Sequence, residues 1–159
     1  MIKNFLEIEN VTFSVDDKSK VNNLSLTIEN EGDIICLLGP SGIGKTTILR
    51  TIAGLEKIQS GKISLKNKII SSKSIHVDPE NRNISLSFQD NCLFPHYNVI
   101  QNIEFGAARN QKMKKDLNID EVISFLHLDH VKDKFPHEIS SGEAQRASLA
   151  RSLLSKPDL

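Results

Sequence analysis

The amino-terminal part of the chain alternates between apolar and polar side chains. Such alternation is typical of a strand with one buried face, and it predicts a strand over residues 5–13. After a polar stretch, Leu24, Leu26 and Ile28 alternate again and predict a second strand. Because a short polar connection suits antiparallel neighbours, we expect the two strands to form an antiparallel layer.

A continuous apolar run at residues 34–38 breaks this alternation. It predicts a strand that is buried on both faces, as in a parallel sheet covered by helices. Apolar residues on helical spacing predict a helix over Lys45–Ala53, with Gly54 as the residue that caps its carboxyl end. Residues 84–88 predict one more strand.

The remaining pattern predicts one hairpin and three helices. The hairpin pairs residues 62–65 with residues 68–70 around Asn67, and the polar residues 71–82 are predicted to be loop. Asn118 or Asp120 is the expected cap of the helix predicted over residues 119–127. The three helices are predicted at Val99–Ala108, at residues 119–127, and from Ser140 or Ser141 to Leu154, with Ala147, Leu149, Ala150 and Leu153 available for burial. The fold class is therefore α/β, with a small β layer and a helical portion.

Composition narrows the function classes. The chain has 159 residues, 38% hydrophobic and 25% charged, which is typical of a folded domain and excludes disorder. Its 20 basic residues balance 20 acidic ones, so we expect no nucleic-acid partner, because such proteins usually carry a basic excess. No apolar run approaches the roughly 18 residues of a membrane span. Two cysteines are too few for a disulfide framework, which favours the reducing cytosol.

One motif carries specific chemistry. Residues 39–46 match the pattern G-x-x-x-x-G-K-S/T without a gap, after an apolar run and before a helix. Glycines let the loop curl so that backbone N–H groups point at phosphate oxygens, and the helix dipole adds positive charge. Lys45 is expected to reach the β- and γ-phosphates, and the Thr46 hydroxyl to ligate Mg²⁺. The alternative is a chance glycine-rich turn, which this context disfavours. The predicted ATP-binding residues are Gly39, Pro40, Ser41, Gly42, Ile43, Gly44, Lys45, Thr46 and Thr47.

Three segments carry a family resemblance. Residues 38–55 (LGPSGIGKTTILRTIAGL) closely resemble the phosphate loop, or Walker A segment, of ABC-transporter ATP-binding subunits. Residues 84–106 (ISLSFQDNCLFPHYNVIQNIEFG) resemble the Q-loop region of that family, and residues 136–154 (PHEISSGEAQRASLARSLL) resemble its signature helix. The resemblance implies an α/β P-loop NTPase of ABC ATPase type that binds ATP and Mg²⁺.

The resemblance also assigns roles to single residues. Gln89 matches the Q-loop glutamine, which implies a catalytic role with Lys45 and contact with Mg²⁺ beside Thr46. Phe94, Pro95 and His96 lie where family members contact membrane permease subunits; the alternative is a turn with one buried aromatic. The residues that match the signature L-S-G-G-Q, which in the family closes over ATP held by the second subunit of a homodimer, are Ser140, Ser141, Gly142 and Glu143. A plain serine-capped helix is the alternative there.

The sequence departs from the family pattern at four places, of which the mildest is Glu143, where the signature has glutamine. Ser141 stands where the signature has its first glycine, and its Cβ is expected to hinder close approach to phosphate. Val15 stands where the family usually has an aromatic residue that stacks on adenine, so the alternatives are weak stacking or stacking by Phe13. The given sequence stops at Leu159, before the position at which the family has its Walker B strand, D-loop and switch histidine. We therefore expect residues 1–159 to be the N-terminal part of a single nucleotide-binding domain, with an incomplete core sheet and without the catalytic glutamate.

These observations favour one function and leave two alternatives open. The favoured function is the ATP-binding component of an importer that couples ATP hydrolysis to solute uptake. The segments most resemble the subfamily that serves ferric iron, polyamine, sulfate and thiamine uptake, with ferric iron favoured. Its location would be cytoplasmic, peripheral at the inner face of the cell membrane. The alternatives are a truncated remnant that binds nucleotide without turnover and a non-transport ABC ATPase, which the single phosphate loop and neutral charge disfavour.

Overall fold

The computed structural model describes residues 4–16, 19–88, 92–108 and 118–159. The chain divides into two compact units, Met1–Ile84 and Ser85–Leu159. The described residues of the first unit form an antiparallel sheet, one α-helix and a 3₁₀ turn at Pro79–Asn81, and those of the second form three α-helices and a 3₁₀ turn at Pro136–Glu138. Each unit is described by itself.

The first unit is built on a four-stranded antiparallel sheet in the order β2-β1-β3-β4. Strand β1 (Leu6–Ser14) pairs with β2 (Lys20–Ile28) on one side and with β3 (Ser60–Leu65) on the other. Strand β4 (Lys68–Ser72) completes the sheet. Alternate side chains of β1 are buried, as the period of two requires, so the predicted antiparallel layer is confirmed.

The predicted hairpin around Asn67 is also confirmed. Lys66 and Asn67 have φ angles of 49° and 64°, both in the left-handed region that a two-residue hairpin turn of type I′ needs. Strand β4 extends further than predicted, to Ser72, and an isolated bridge joins Ser71 to His76. The predicted loop after the hairpin therefore contains ordered structure.

Two predicted strands are wrong. Residues 34–38 and residues 84–88 form no strand, and the side chains of Ile34 and Leu38 are 97% and 88% exposed. The physical reason is that a buried parallel strand exists only when neighbouring strands bond to both of its edges. No strand among the described residues pairs with either segment. The observed sheet is therefore entirely antiparallel, and the core sheet that the pattern predicted is incomplete.

Helix α1 spans Lys45–Ala53, as predicted. Its buried face consists of Ile48, Thr51, Ile52 and Ala53. Gly54 ends the helix in the left-handed conformation, with a φ of 90°, and its N–H donates to the Thr51 carbonyl, while the N–H of Leu55 donates to Arg50. This is the glycine cap that the sequence predicted, and it fixes where the phosphate-loop helix stops.

The second unit packs three helices around one core. They are α2 (Val99–Ala108), α3 (Ile119–Phe125) and α4 (Ser141–Leu154). The Asn118 side chain accepts from the Asp120 N–H and caps α3, as predicted, although α3 ends two residues earlier than expected. The core consists of Val99, Ile103, Val122, Ile123, Leu126, Leu128, Val131, Ala147, Ala150 and Leu154.

The predicted burial of α4 is half right. Ala147 and Ala150 are fully buried, but Leu149 and Leu153 are 43% and 42% exposed. The two leucines are four positions apart and so share one face, which no element of this unit covers among the described residues. Which apolar face of a helix is buried depends on the neighbours that pack against it, and the helical period alone does not specify them.

Asn102 is the polar anchor of this unit. It is fully buried on α2, and its Oδ1 accepts from the Phe94 N–H at 2.8 Å. Its Nδ2 donates to the carbonyls of Phe94, Tyr97 and Asn98. These bonds fix the turn at residues 94–98 against α2, which is where the aromatic residues of the predicted permease contact lie.

Candidate functional site

The phosphate loop has the backbone that its glycines predict. Gly42 and Gly44 have φ angles of 82° and 102°, in the left-handed region that other residues rarely adopt. Gly44 is also tightly packed, because a Cβ there would lie 3.0 Å from Val15 Cγ2 and 3.1 Å from Val21 Cγ2. The loop therefore curls against the antiparallel sheet, and α1 begins directly after it.

Lys45 lies across the loop. Its Nζ donates to the carbonyls of Gly39 and Pro40, each at 2.7 Å. Gly44 caps α1 without a side-chain hydrogen bond, and the first turn of α1 contains no acidic residue. The Thr46 side chain is exposed and that of Thr47 is half-buried. The helix N-terminus thus offers a lysine ammonium, a free hydroxyl and backbone N–H groups on the same short segment, which is an anion-binding arrangement.

A cleft of about 630 Å³ lies beside the loop in the first unit. Arg50 and Glu56 form an ion pair of 3.1 Å on its wall. Phe13 is only 1% exposed, so its ring is part of the core and the alternative that it stacks on adenine is wrong. The residues that line the cleft are Ser14, Val15, Asp16, Thr47, Arg50 and Glu56.

The signature segment forms a capping box at the start of α4. Ser140 is the N-cap, and its Oγ accepts from the Glu143 N–H at 3.3 Å while donating to Glu143 Oε2 at 2.6 Å. The Ser140 N–H also donates to Oε2, at 2.7 Å. His130 Nε2 lies 2.8 Å from Glu143 Oε1. These contacts, those of Ser140 first, lower the pKa of Glu143 to about 2.

The other two signature residues are accessible. Ser141 and Gly142 are exposed in the first turn of α4. Ser141 is the first helical residue, so its Cβ causes no backbone strain. The sequence favoured a surface or capping role for His130, and its side chain is 63% exposed and bonded to the capping glutamate. The serine and the glutamate three positions later were themselves a signal of the capping box, but nothing in the sequence pointed to its histidine.

The Q-loop region lies only partly within the described residues. Gln89 lies outside the described residues, so its predicted roles stay predictions. Pro95 and His96 are exposed, and Phe94 is half-buried. The Phe94 ring packs edge-on against Phe105, with centroids 4.8 Å apart.

Sequence reasoning also missed two neighbours of Phe94. Phe105 is 53% exposed, and the guanidinium of Arg151 lies 5.4 Å from the Phe94 ring centroid. Arg151 also donates to the Cys92 carbonyl at 2.9 Å, and desolvation by burial lowers its pKa. The second unit therefore carries a partly exposed aromatic patch, which we define as Phe94, His96, Tyr97 and Phe105.

Comparison with known proteins gives one consistent result. The Fe(3+) ions import ATP-binding protein FbpC of Fusobacterium nucleatum is 41% identical over 157 residues, covering 97% of this chain and 41% of that protein. The spermidine/putrescine import ATP-binding protein PotA of Salmonella typhimurium is 38% identical over 154 residues, covering 96% of this chain and 39% of that protein. The chain thus spans about two fifths of the length of these curated relatives.

A solved structure agrees with these relatives. CbiO1 of Clostridium perfringens, part of the ABC transporter complex cbiONQ, superposes with a TM-score of 0.77 at 29% identity. That match covers 98% of this chain and 63% of the cbiO1 chain. Within the described residues, no helix is both long and apolar enough to cross a membrane. Residues 21–159 match the family described as ABC transporter. The chain therefore belongs to the ABC transporter family, and its fold is that of an ABC ATPase cassette.

Proposed function

We propose that this chain is the ATP-binding part of an ABC importer subunit, and that its phosphate loop binds the β- and γ-phosphates of ATP. The observation that supports this most directly is the geometry of residues 39–46. Two left-handed glycines curl the loop, and the Lys45 ammonium lies across it at 2.7 Å from two carbonyls. A triphosphate would give Lys45 ionised acceptors in place of neutral carbonyls, and charge-assisted hydrogen bonds are the stronger kind.

The same segment fits Mg²⁺. The exposed Thr46 hydroxyl is an oxygen donor at the helix N-terminus, and hard oxygen ligands together with phosphate oxygens are what Mg²⁺ prefers. We assign Thr46 as the protein ligand, with Gln89 as the second contact that the family resemblance implies. When bound, the ion would neutralise part of the negative charge on the phosphates.

The base and ribose are assigned to the cleft that Val15 and Thr47 line. Thr47, which lines this cleft, directly follows the proposed magnesium ligand Thr46. A nucleotide that is anchored by its phosphates at the loop would therefore reach the cleft. The wall offers the polar side chains of Ser14, Arg50 and Glu56 but no aromatic ring. We infer that the chain recognises adenine by van der Waals contact with Val15, and that this half of the site contributes little affinity.

The remaining assignments follow from the family. We propose that Ser140, Ser141, Gly142 and Glu143 face the ATP of a second copy in a homodimer, and that the aromatic patch contacts a permease subunit. On this proposal the protein acts at the cytoplasmic face of the cell membrane. Relatives named for Fe(3+) import and for spermidine/putrescine import support uptake of a small cation, of which ferric iron is our first choice.

The experiment is a titration with a fluorescent ATP analogue in the presence of Mg²⁺. Lys45→Ala removes the charged phosphate contact and should weaken binding at least about tenfold, since a hydrogen bond to a charged group is worth about 1.5–3 kcal/mol. Lys68→Ala is the matched control, because it removes the same charge from an exposed position on β4. Phosphate release in the same samples separates binding from turnover. Equal affinity of wild type and Lys45→Ala would overturn the proposal.

A further inference from the structure

Arg82 is a buried cation that the site as described does not use. It is 2% exposed in the first unit and follows a short 3₁₀ turn at Pro79–Asn81. A guanidinium has five N–H donors, and each of the five makes a hydrogen bond here. The acceptors are the carbonyls of Val77 at 2.7 Å, Thr51 at 3.0 Å, Ile52 at 2.8 Å and Ile70 at 3.0 Å, and the Ser71 hydroxyl at 2.8 Å.

Burying this charge is costly, so its position needs a reason. Desolvation lowers the pKa of Arg82, while the nearby Asp78 acts in the opposite direction. Two of the acceptors, Thr51 and Ile52, are carbonyls at the last turn of α1. Those carbonyls carry the negative end of the helix dipole, and a cation placed there is stabilising. Arg82 therefore ties the carboxyl end of α1 to β4 and to the loop at Val77.

Gly54 leaves room for this contact. A Cβ on Gly54 would lie 2.6 Å from Arg82 Nε and 2.8 Å from Cζ, which no real Cβ tolerates. The glycine that caps α1 is therefore needed twice, once for its φ of 90° and once because the guanidinium lies against it. The carboxyl end of α1 and Arg82 form one tightly fitted unit.

The opposite end of α1 carries the phosphate loop. The helix has nine residues, which corresponds to about 13 Å at 1.5 Å per residue. Its body is stiffened by the Thr51 hydroxyl, which donates to the Thr47 carbonyl at 2.7 Å. A displacement of the Thr51 end is therefore transmitted along the helix to Lys45 and Thr46.

We propose that Arg82 is a positioning residue of the phosphate loop: by holding the carboxyl end of α1 it sets where the Lys45 ammonium and the α1 N-terminus lie, and so sets nucleotide affinity without touching nucleotide. This inference rests on the proposed phosphate-binding function. It predicts that substitutions on either side of the guanidinium weaken ATP binding, because both displace the same end of the same helix.

The test uses the full 159-residue chain and three variants. Arg82→Lys keeps the charge but loses the five-point geometry, Gly54→Ala pushes the guanidinium away, and Ser71→Ala removes one acceptor. We expect the first two to bind the fluorescent ATP analogue about 3–30-fold more weakly, the usual range for residues that act without contacting the ligand. Ser71→Ala should lie between them and wild type. The part of the Gly54→Ala effect that comes from displacing the guanidinium should not add to that of Arg82→Lys, whereas the part that comes from its φ of 90° should, so the double variant should bind more tightly than the sum of the two single effects predicts.

Ile63→Ala separates positioning from stability. Ile63 is 1% exposed in β3, a strand that supplies none of the acceptors of Arg82, and its truncation leaves a cavity that lowers the unfolding temperature. We expect it to melt earlier yet to bind the analogue as wild type does. The inference is overturned if Arg82→Lys binds within twofold of wild type, or if affinity falls with melting temperature across all variants, Ile63→Ala included. If Arg82→Lys does not fold, Gly54→Ala and Ser71→Ala decide by the same criteria.

Hydrogen exchange gives a readout that does not need nucleotide. In Arg82→Lys the amides at the start of α1, such as that of Ile48, should exchange faster, while amides of β1 and β3 keep their protection. Unchanged protection at Ile48 would also overturn the inference. Failure of the proposed function is distinguishable, because wild type would then show no Lys45-dependent binding whatever the exchange data show about Arg82.

Discussion

The substitution Gly106→Ala tests whether the close packing of α2 on α4 stabilises the second unit. A Cβ at Gly106 would fall well inside van der Waals contact of the Arg151 carbonyl oxygen and 2.9 Å from its carbonyl carbon. These are backbone atoms in the last turn of α4, so they cannot rotate away as a side chain can. Gly106→Ala therefore forces the two helices apart.

The sign of the effect follows from two opposing magnitudes. Alanine in a helix is favoured over glycine by about 0.5–1 kcal/mol. Overpacking a core typically costs about 1–3 kcal/mol, and a backbone clash lies at the upper end of that range. The net expectation for Gly106→Ala is a loss of about 2 kcal/mol, which lowers the unfolding temperature by about 4–8 °C for a chain of this size.

Gly142→Ala is the matched control. It places the same methyl group in a helix where the nearest atom, Arg146 Nη1, is 3.6 Å away, which is ordinary contact. Its unfolding temperature should equal or slightly exceed that of wild type. Thermal unfolding followed by far-ultraviolet circular dichroism measures both variants. If Gly106→Ala unfolds at or above the wild-type temperature, the argument from helix spacing is wrong.

Two further predictions concern the proposed nucleotide site. Glu143→Gln removes a carboxylate whose pKa is lowered from 4.5 to about 2, so the wild-type advantage in stability should be complete above pH 4.5 and disappear as the pH falls towards 2. Unfolding of both proteins between pH 7 and pH 2 checks this, and a constant difference over that range would contradict it. Val15→Tyr adds an aromatic ring to the cleft and should tighten binding of the ATP analogue roughly fivefold, the equivalent of about 1 kcal/mol of stacking. Val15→Leu adds bulk without a ring and should leave affinity unchanged; an equal gain would show that stacking is not the cause.

The phosphate loop and α1 were predictable because their determinants are local. The glycines, the lysine and the following helical period lie within one short segment, and the structure gives α1 the bounds Lys45–Ala53 that the pattern predicts. The hairpin at Asn67 was predictable for the same reason, since its turn residues lie between two alternating segments. Where a few adjacent residues specify a conformation, the sequence is enough.

Residues 34–38 show where that reasoning ends. Their apolar run predicted a buried strand, but burial and backbone pairing come from other strands, which the described part of the chain does not supply. Leu149 and Leu153 on α4 repeat the lesson for a helix. An apolar pattern indicates that a segment can be buried, but it does not specify which strand or helix packs against it.

Arg82 could not have been found from the sequence at all. It ends a polar stretch that predicted an exposed loop, and arginine is rarely buried. Its burial depends on acceptors from β4, from α1 and from the loop at Val77, which come together only in the folded unit. A charged side chain is buried where distant segments jointly satisfy it, so tertiary structure decides the outcome.

The two predicted phosphate-contacting groups are both satisfied by the chain itself, but in different ways. Lys45 donates to two neutral carbonyls, so exchanging them for phosphate replaces weak acceptors with ionised ones. The Ser140 hydroxyl donates to the Glu143 carboxylate, so turning to a phosphate replaces one anion with another and places two anions close together. Only the exchange at Lys45 gains electrostatic energy. We therefore expect nucleotide binding by this chain to be governed by the phosphate loop, and the Lys45→Ala titration measures that contribution directly.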